Sequence, residues 1–415
     1  MGAPARAFIA PARRAAIRRR LLAWWADGHR DLPWRSPRNV RDPYRVWLSE
    51  VMLQQTRVEV AARYYRRFLA RWPTLEALGA AREEEVFAAW AGLGYYARCR
   101  NLLAAARVAL RDHGGLPASL DGLRSLPGVG PYTAGAVASI AFEIPAAAVD
   151  GNAARVLSRL FAFKGDPARG SQRQRLWALA RALVGEQAPG ARLAAGPTSP
   201  GDFNQALMEL GATVCRRRPA CDRCPLSGLC AARAAGEARI LPRPRGRGRR
   251  RELLLACAFL ERRGEVLLAR RPGSGLFSGL LCLPHAMVEP GGDPRRVLRL
   301  ALARDGLRVR AGPEGGSALR ALTHRDLRVV AFRCRLAGRA RVGREGAELR
   351  WVARSRLPRV GLPAAMKVLL PALLGGRETQ GRAGEGAAPV LRAGDVEGRP
   401  ALRPAARGGA EDERP

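Results

Sequence analysis

The sequence predicts a mainly α N-terminal domain followed by a smaller α+β domain, and three observations support this. Apolar residues recur at helical spacing from about residue 12 to 232, a Pro, Gly and Arg run (ILPRPRGRGRRR) interrupts the pattern between Ile240 and Arg251, and short β-type runs follow it. A chain of 415 residues with 47% hydrophobic content has room for two or three such domains.

Taken in order, the helical runs are Ala16 to Trp25, Tyr44 to Gln55, Val58 to Trp72, Arg98 to Arg111 and Asn152 to Phe163. Pro43 stands where a helix starts, with Asp42 as its cap, and Asp112, His113, Gly114 and Gly115 form a stop. Beyond the Pro-Arg run, Leu253 to Leu260, Val266 to Ala269 and Leu327 to Leu336 read as strands. The expected division is a basic tail over 1–11, a helical domain over 12–232, a linker over 233–251, an α+β domain over 252–375 and a disordered tail over 376–415, which lacks any apolar period.

Lys plus Arg is 72 against 36 acidic residues, a formal charge of +36, and so large an excess calls for a polyanionic partner such as nucleic acid. Only Lys164 and Lys367 are lysines, so part of the excess reflects the Ala, Arg, Gly and Pro bias of a GC-rich gene. No stretch approaches the roughly 20 apolar residues of a membrane span, and the N-terminus lacks a signal-peptide core. The expectation is a cytoplasmic, DNA-associated monomer. Cys99, Cys257, Cys282 and Cys334 are scattered singly, as buried small hydrophobes are in a reducing compartment.

The other four cysteines, Cys215, Cys221, Cys224 and Cys230, fall within sixteen residues in CRRRPACDRCPLSGLC. So dense a set, among Arg216, Arg217, Arg218 and Arg223, is too polar for core and suits tetrahedral zinc or an iron-sulfur cluster. A zinc site more typically has two Cys-x2-Cys pairs; one pair between lone cysteines favours iron-sulfur.

In SLPGVGPYTAGAVASIAF, Pro127, Gly128, Val129 and Gly130 separate two helical runs, the pattern of a helix-hairpin-helix. Gly128 and Gly130 permit a sharp turn whose amides can bind a phosphate oxygen, positioning DNA without reading its sequence. Glu50 in SEVMLQQTRVE sits among apolar Val51, Met52 and Leu53, where desolvation lets a carboxyl keep its proton near neutral pH, as a general acid must. Asp150, Gly151 and Asn152 precede a helix, where Asp150 is either a helix cap or a functional carboxylate. Tyr95 and Tyr96 stand beside Arg98 and Arg100, a pairing that suits base stacking next to phosphate neutralisation.

Residues 12 to 232 resemble the endonuclease III superfamily of DNA glycosylases, and SEVMLQQT, GLGYYARCRNL, LPGVGPYTAGAVASIAF and VDGNAARVLSRL are similar to the adenine DNA glycosylase, or MutY, family. The resemblance implies an enzyme that flips adenine, mispaired with 8-oxoguanine or guanine, out of the duplex and cuts its N-glycosidic bond in base-excision repair. It assigns Glu50 as the acid that protonates the base. It assigns Asp150 as the ionised carboxylate that stabilises the oxocarbenium-like sugar, and Tyr132 and Asn152 as supporting active-site groups. Gln55 and Tyr95 match positions that insert into the duplex. Where a bifunctional relative carries a Schiff-base lysine this chain has Tyr132, so a monofunctional enzyme with little or no strand cleavage is expected. The family spacing Cys-x6-Cys-x2-Cys-x5-Cys is shortened here to Cys-x5-Cys-x2-Cys-x5-Cys, and a 4Fe-4S cluster is still expected in a tighter loop.

RRPGSGLFSGLLCLP, residues 270 to 284, resembles a segment of the Nudix-like C-terminal domain of that family. Ala303 and Arg304 occupy the place of the metal-binding glutamate pair of catalytic Nudix helices, so no nucleotide hydrolysis is expected. Leu322, Thr323 and His324 are the counterpart of the family's 8-oxoguanine recognition loop, with Thr323 and His324 retaining the hydroxyl and imidazole. Two other readings are a mismatch thymine or uracil DNA glycosylase on the same scaffold and a catalytically silent DNA-binding protein.

Overall fold

The structure, a computed structural model, describes residues 9–167, 169–185, 199–243, 251–270, 276–277, 280–321, 325–338 and 348–375. The chain divides into two compact units, Met1–Gly248 and Arg249–Pro415. In the first, the helices are α1 (Pro11–Asp27), α2 (Pro43–Leu53), α3 (Val58–Arg71), α4 (Leu75–Gly79), α5 (Glu83–Trp90), α6 (Tyr96–His113), α7 (Leu120–Ser125), α8 (Pro131–Phe142), α9 (Gly151–Leu160), α10 (Gly170–Val184), α11 (Pro200–Thr213) and α12 (Ala231–Ala234). No helix among the described residues is long and apolar enough to cross a membrane.

The start and stop signals act as expected. Pro43 occupies the first turn of α2 while Asp42 Oδ1 accepts the Arg45 amide at 3.0 Å. Gly114 closes α6 at φ 66°. Two helices are shorter than the apolar spacing suggests: α2 ends at Leu53, releasing Gln54 and Gln55, and α9 ends at Leu160, where Ala162 turns to φ 45°. Residues 233–243, expected as the start of the linker, pack on this unit, since Leu241 is buried and its carbonyl accepts Arg159 Nε at 2.7 Å.

Thr133 through Ile140 are all buried, so α8 is enclosed on every side, as its nearly unbroken apolar sequence requires. In a separate cluster, α1, α9, α10 and α11 close over Ile17, Leu21, Leu157, Leu160, Leu183, Phe203 and Leu210. On α2, α3 and α5 the fully buried aromatic side chains are Trp47, Tyr65, Phe68 and Trp90, the last two edge to face with ring centroids 5.6 Å apart. Two glycines allow close approaches beside Asp150 and Asn152. A Cβ on Gly135 would overlap the Ala147 carbonyl oxygen, and one on Gly211 would lie 2.7 Å from Asn152 Cβ. These contacts bring the segment ending at Asp150 against α8, and the start of α9 against α11.

The second unit contains a sheet of order β3-β2-β1-β6-β5, with β4 also pairing β1 and β7 pairing β2. Its strands are β1 (Arg251–Arg262), β2 (Glu265–Arg270), β3 (Leu281–Cys282), β4 (His285–Val288), β5 (Val309–Ala321), β6 (Arg325–Leu336) and β7 (Glu348–Ala353). Helix α13 (Pro294–Arg304) lays Leu298 and Leu302 on Ala256, Ala258, Leu260 and Phe332. β1 and β2 form a hairpin across Arg263 and Gly264, both at positive φ, whereas β1 and β6 run parallel from Arg251↔Arg325 to Leu260↔Cys334. Cys99, Cys257, Cys282 and Cys334 are buried, as their isolation implies. Ala303 and Arg304 are exposed at the end of α13, which therefore carries no carboxylate pair there. Thr323, His324 and Leu322 lie outside the described residues, as does the expected tail over 376–415.

Candidate active site

A cavity of about 510 Å³ in the helical unit is lined by Glu50, Gln55, Tyr132, Asp150 and Asn152, five of the residues singled out by motif, together with Trp34, Arg30, Arg35, Gln54, Met208 and Glu209. Its volume lies in the range that encloses most of a small ligand. Glu50 enters from the last two turns of α2, Tyr132 from the first turn of α8, and Asp150 and Asn152 from the N-terminus of α9.

Glu50 is buried and accepts the Tyr132 hydroxyl proton at Oε2, 2.5 Å away. Burial dominates its protonation: desolvation and the nearby Asp150 charge push its pKa from 4.5 to about 7, against the pull of the Tyr132 hydrogen bond and the Arg35 charge. A carboxyl so placed holds and releases a proton near neutrality. The Tyr132 phenol is likewise pushed well above its ordinary value, by burial and by the two carboxylates, so it stays a donor.

Asp150 caps a helix and also lines the cavity. It is the N-cap of α9, with Oδ1 accepting the Ala153 amide at 2.7 Å, and Oδ2 faces Asn152 Nδ2 at 2.9 Å. Burial raises its pKa, and these hydrogen bonds and the Arg155 charge pull it down. Asn152 is held in turn by Arg155, whose Nη2 donates to Asn152 Oδ1 and to the Gly211 carbonyl, each within 2.8 Å.

Several supports had no motif. Arg30 grips Glu209 with two hydrogen bonds of 2.6 and 2.8 Å, and Arg35 adds a third at 2.9 Å. Burial pushes the Glu209 pKa up, but the two arginines outweigh it and hold the carboxyl below its ordinary value. This network places the Arg35 cation near Glu50. Buried Asn204 on α11 donates to Ser139 Oγ and the Ala146 carbonyl, both at 2.8 Å, and accepts the Ala148 amide at 3.2 Å. It thereby ties α8 to the segment that delivers Asp150. Arg30 and Glu209 are 179 positions apart, and no local spacing links them.

Gly128 and Gly130 lie exposed in the turn between α7 and α8, Gly128 at φ 74°, a conformation that favours glycine. Gln55 and Tyr95 are exposed on separate loops, both in the left-handed region at φ 56° and 49°. Gln55 borders the cavity; Tyr95 does not line it.

Cys215 follows α11, Cys221 and Cys224 bracket a short 3-10 turn, and Cys230 precedes α12. Burial, together with the charges of Cys215, Cys230 and Cys221, pushes the Cys224 thiol up to about 11, against a backbone hydrogen bond at Leu226. Among the described residues no three His, Cys, Asp or Glu side chains are gathered tightly enough to hold one metal ion. Buried Arg159 donates Nη1 to Cys215 Sγ at 3.3 Å and to the Arg216 carbonyl at 2.6 Å, placing a cation against a sulfur. A guanidinium held against the Cys215 sulfur favours a thiolate at that one position. Arg216, Arg217, Arg218 and Arg223 are exposed.

Residues 48–182 match the HhH-GPD superfamily of base excision DNA repair proteins, and residues 255–372 match the NUDIX domain. The chain is 37% identical to the adenine DNA glycosylase of Homo sapiens, the match covering 85% of this chain and 73% of that protein. It is 40% identical to the adenine DNA glycosylase of Rattus norvegicus, covering 67% of this chain and 62% of that protein. A solved structure of a thermostable thymine-DNA glycosylase is 31% identical with a TM-score of 0.45, covering 54% of this chain and 98% of that one. With the helix-hairpin-helix unit, the Nudix unit and this identity over most of its length, the chain belongs to the adenine DNA glycosylase family.

Proposed function

We propose that the protein removes adenine mispaired with 8-oxoguanine or guanine from duplex DNA, leaving an abasic site. The observation that carries this reading is the pairing of a buried Glu50, its pKa raised to about 7, with Asp150 in one cavity. Protonated Glu50 donates its proton to the five-membered ring of the extruded adenine as the C1′–N bond breaks, and the bonding pair leaves with the base. The Asp150 carboxylate, held by the Ala153 amide and Asn152, stabilises the oxocarbenium-like sugar until water adds at C1′ and returns a proton to Glu50. Tyr132 provides a hydroxyl where a lyase would need an amine, which supports a monofunctional reaction. Gln55 and Tyr95 fill the gap the adenine leaves, and Gly128 and Gly130 hold a phosphate. Thr323 and His324 recognise the 8-oxoguanine partner. Cys215, Cys221, Cys224 and Cys230 hold a 4Fe-4S cluster, which orders the loop presenting Arg216, Arg217, Arg218 and Arg223 to the DNA backbone.

The test is single-turnover release of adenine from duplexes with adenine opposite 8-oxoguanine, guanine or thymine, beside a thymine·guanine mismatch, with alkali added afterwards. Fastest loss opposite 8-oxoguanine, with breaks mainly after alkali, is the expected result. Thymine release would move the protein to the mismatch class, and no release from iron-loaded protein would make it a silent binder.

A further inference from the structure

Arg98, in the first turn of α6, touches the end of the helix that carries Glu50 and both loops bearing the exposed left-handed residues Gln55 and Tyr95. Its Nη1 donates to the Val51 and Met52 carbonyls at 2.8 and 3.1 Å, the residues that follow Glu50 on α2. Nη2 donates to Thr56 Oγ1 at 3.2 Å and to the Leu93 carbonyl at 3.4 Å. The guanidinium carbon lies 5.4 Å from the Trp90 ring centroid and 5.3 Å from that of Tyr95. Trp90 Nε1 donates to the Gly94 carbonyl at 2.9 Å, which closes the loop before Tyr95. Thr56 passes the connection on: its hydroxyl donates to the Gln54 carbonyl at 3.3 Å, and Gln54 Nε2 donates to Thr133 Oγ1 at 3.2 Å, beside Tyr132.

From this geometry we infer that Arg98 is a positioning residue that preassembles the intercalating pair Gln55 and Tyr95 and couples their placement to Glu50. The chemistry suits a guanidinium and no other side chain. A planar fork reaches helix-end carbonyls and a hydroxyl at once while its face meets a ring, and a lysine ammonium cannot do both. The helix-end carbonyls carry the negative end of the α2 dipole, so the cation is compensated without a carboxylate next to the DNA. Burial depresses the Arg98 pKa to about 10, still far above neutrality, so the pin stays charged. Gln55 and Tyr95 occupy backbone conformations that L-residues adopt only under constraint, and Arg98 joins the two loops that supply it.

The inference rests on the reading of Gln55 and Tyr95 as intercalating residues, and the test separates the two. The probe is a duplex with 2-aminopurine opposite 8-oxoguanine, whose emission reports unstacking, read beside single-turnover adenine release and duplex affinity. Arg98→Lys should lower the rate and the emission about tenfold and duplex affinity by no more than about threefold, a loss in the range expected when site geometry shifts by a fraction of an ångström. In a Tyr95→Ala background the same substitution should cost clearly less than in wild type, about threefold instead of tenfold, because one of the two partners it positions is gone. Wild-type emission and rate in Arg98→Lys, or an equal cost in both backgrounds, would overturn the inference. Arg98→Ala should be more severe, and if it does not fold the lysine variant alone decides. If Tyr95→Ala and Gln55→Ala themselves keep wild-type emission, the intercalation reading fails first; if they lose it and Arg98→Lys does not, only the role of Arg98 falls.

Discussion

At the scale of single residues, Glu50 is tuned by opposing effects of known sign. Its pKa rises from 4.5 to about 7 chiefly through burial, and the Tyr132 hydrogen bond pulls it down by stabilising the carboxylate. The protonated form does the work, so adenine release under single turnover should fall as pH rises through about 7. Tyr132→Phe removes a stabiliser of the anion and should move that limb to higher pH while lowering the rate; a limb moving down would contradict the geometry. The same shift has a cost in stability. Because the folded pKa is the higher one, the contribution is full below 4.5 and is lost as pH rises to about 7. Glu50→Gln should therefore abolish release yet melt with wild type near pH 4 and above it at pH 8, by an amount on the order of 3 kcal/mol.

At the scale of elements, the site is made where helices begin and end. Asp150 caps α9 and faces the cavity in the same conformation, so cap and carboxylate can be separated by chemistry. Asn caps as well as Asp does, and Asp150→Asn should change stability by only a few tenths of a kcal/mol while lowering adenine release by about a thousandfold or more. A large fall in melting temperature would assign the residue to the helix instead. Gly211 on α11 offers a second separation, since a methyl group there would press on Asn152. Gly211→Ala should cost about 1–3 kcal/mol and reduce the rate through a displaced Asn152, measured as kcat falling at unchanged duplex affinity. Helices α2, α3, α6 and α9 were legible because each shows an apolar period with a cap, a proline or a glycine stop. Helix α11 was not, because buried Asn204, Gln205 and Glu209 break its apolar face, and Asn204 and Glu209 are satisfied only by distant residues. β5 was hidden for another reason: Gly312, Pro313, Gly315 and Gly316 read as a turn, yet the strand runs through them with two register shifts because β6 supplies the ladder.

At the scale of the whole molecule, a formal charge of +36 predicts DNA affinity that falls steeply with salt, with a log–log slope of about −0.9 for each phosphate neutralised. Replacing Arg216 and Arg217 together should reduce that slope by about two while leaving the single-turnover rate at saturating protein unchanged; an unaltered slope would remove the cysteine loop from the DNA interface. Anaerobically purified protein should be brown and contain about four irons per chain, and colourless, iron-free protein of full stability would defeat the cluster. The residue types alone determined the two-part architecture, the hairpin and the cysteine loop, because turns, caps and clustered thiols are local and their chemistry is written in adjacent positions, whereas the pairing of Glu50 with Asp150 followed from the family resemblance and is made by the fold. Only the tertiary structure decided that Glu50 is buried deeply enough to hold its proton, that Arg30 and Arg35 converge on Glu209, and that Arg98 spans two loops and a helix end. Desolvation and long-range hydrogen bonding depend on which distant segments meet, and that meeting is set by packing of the whole helical unit rather than by any run of sequence.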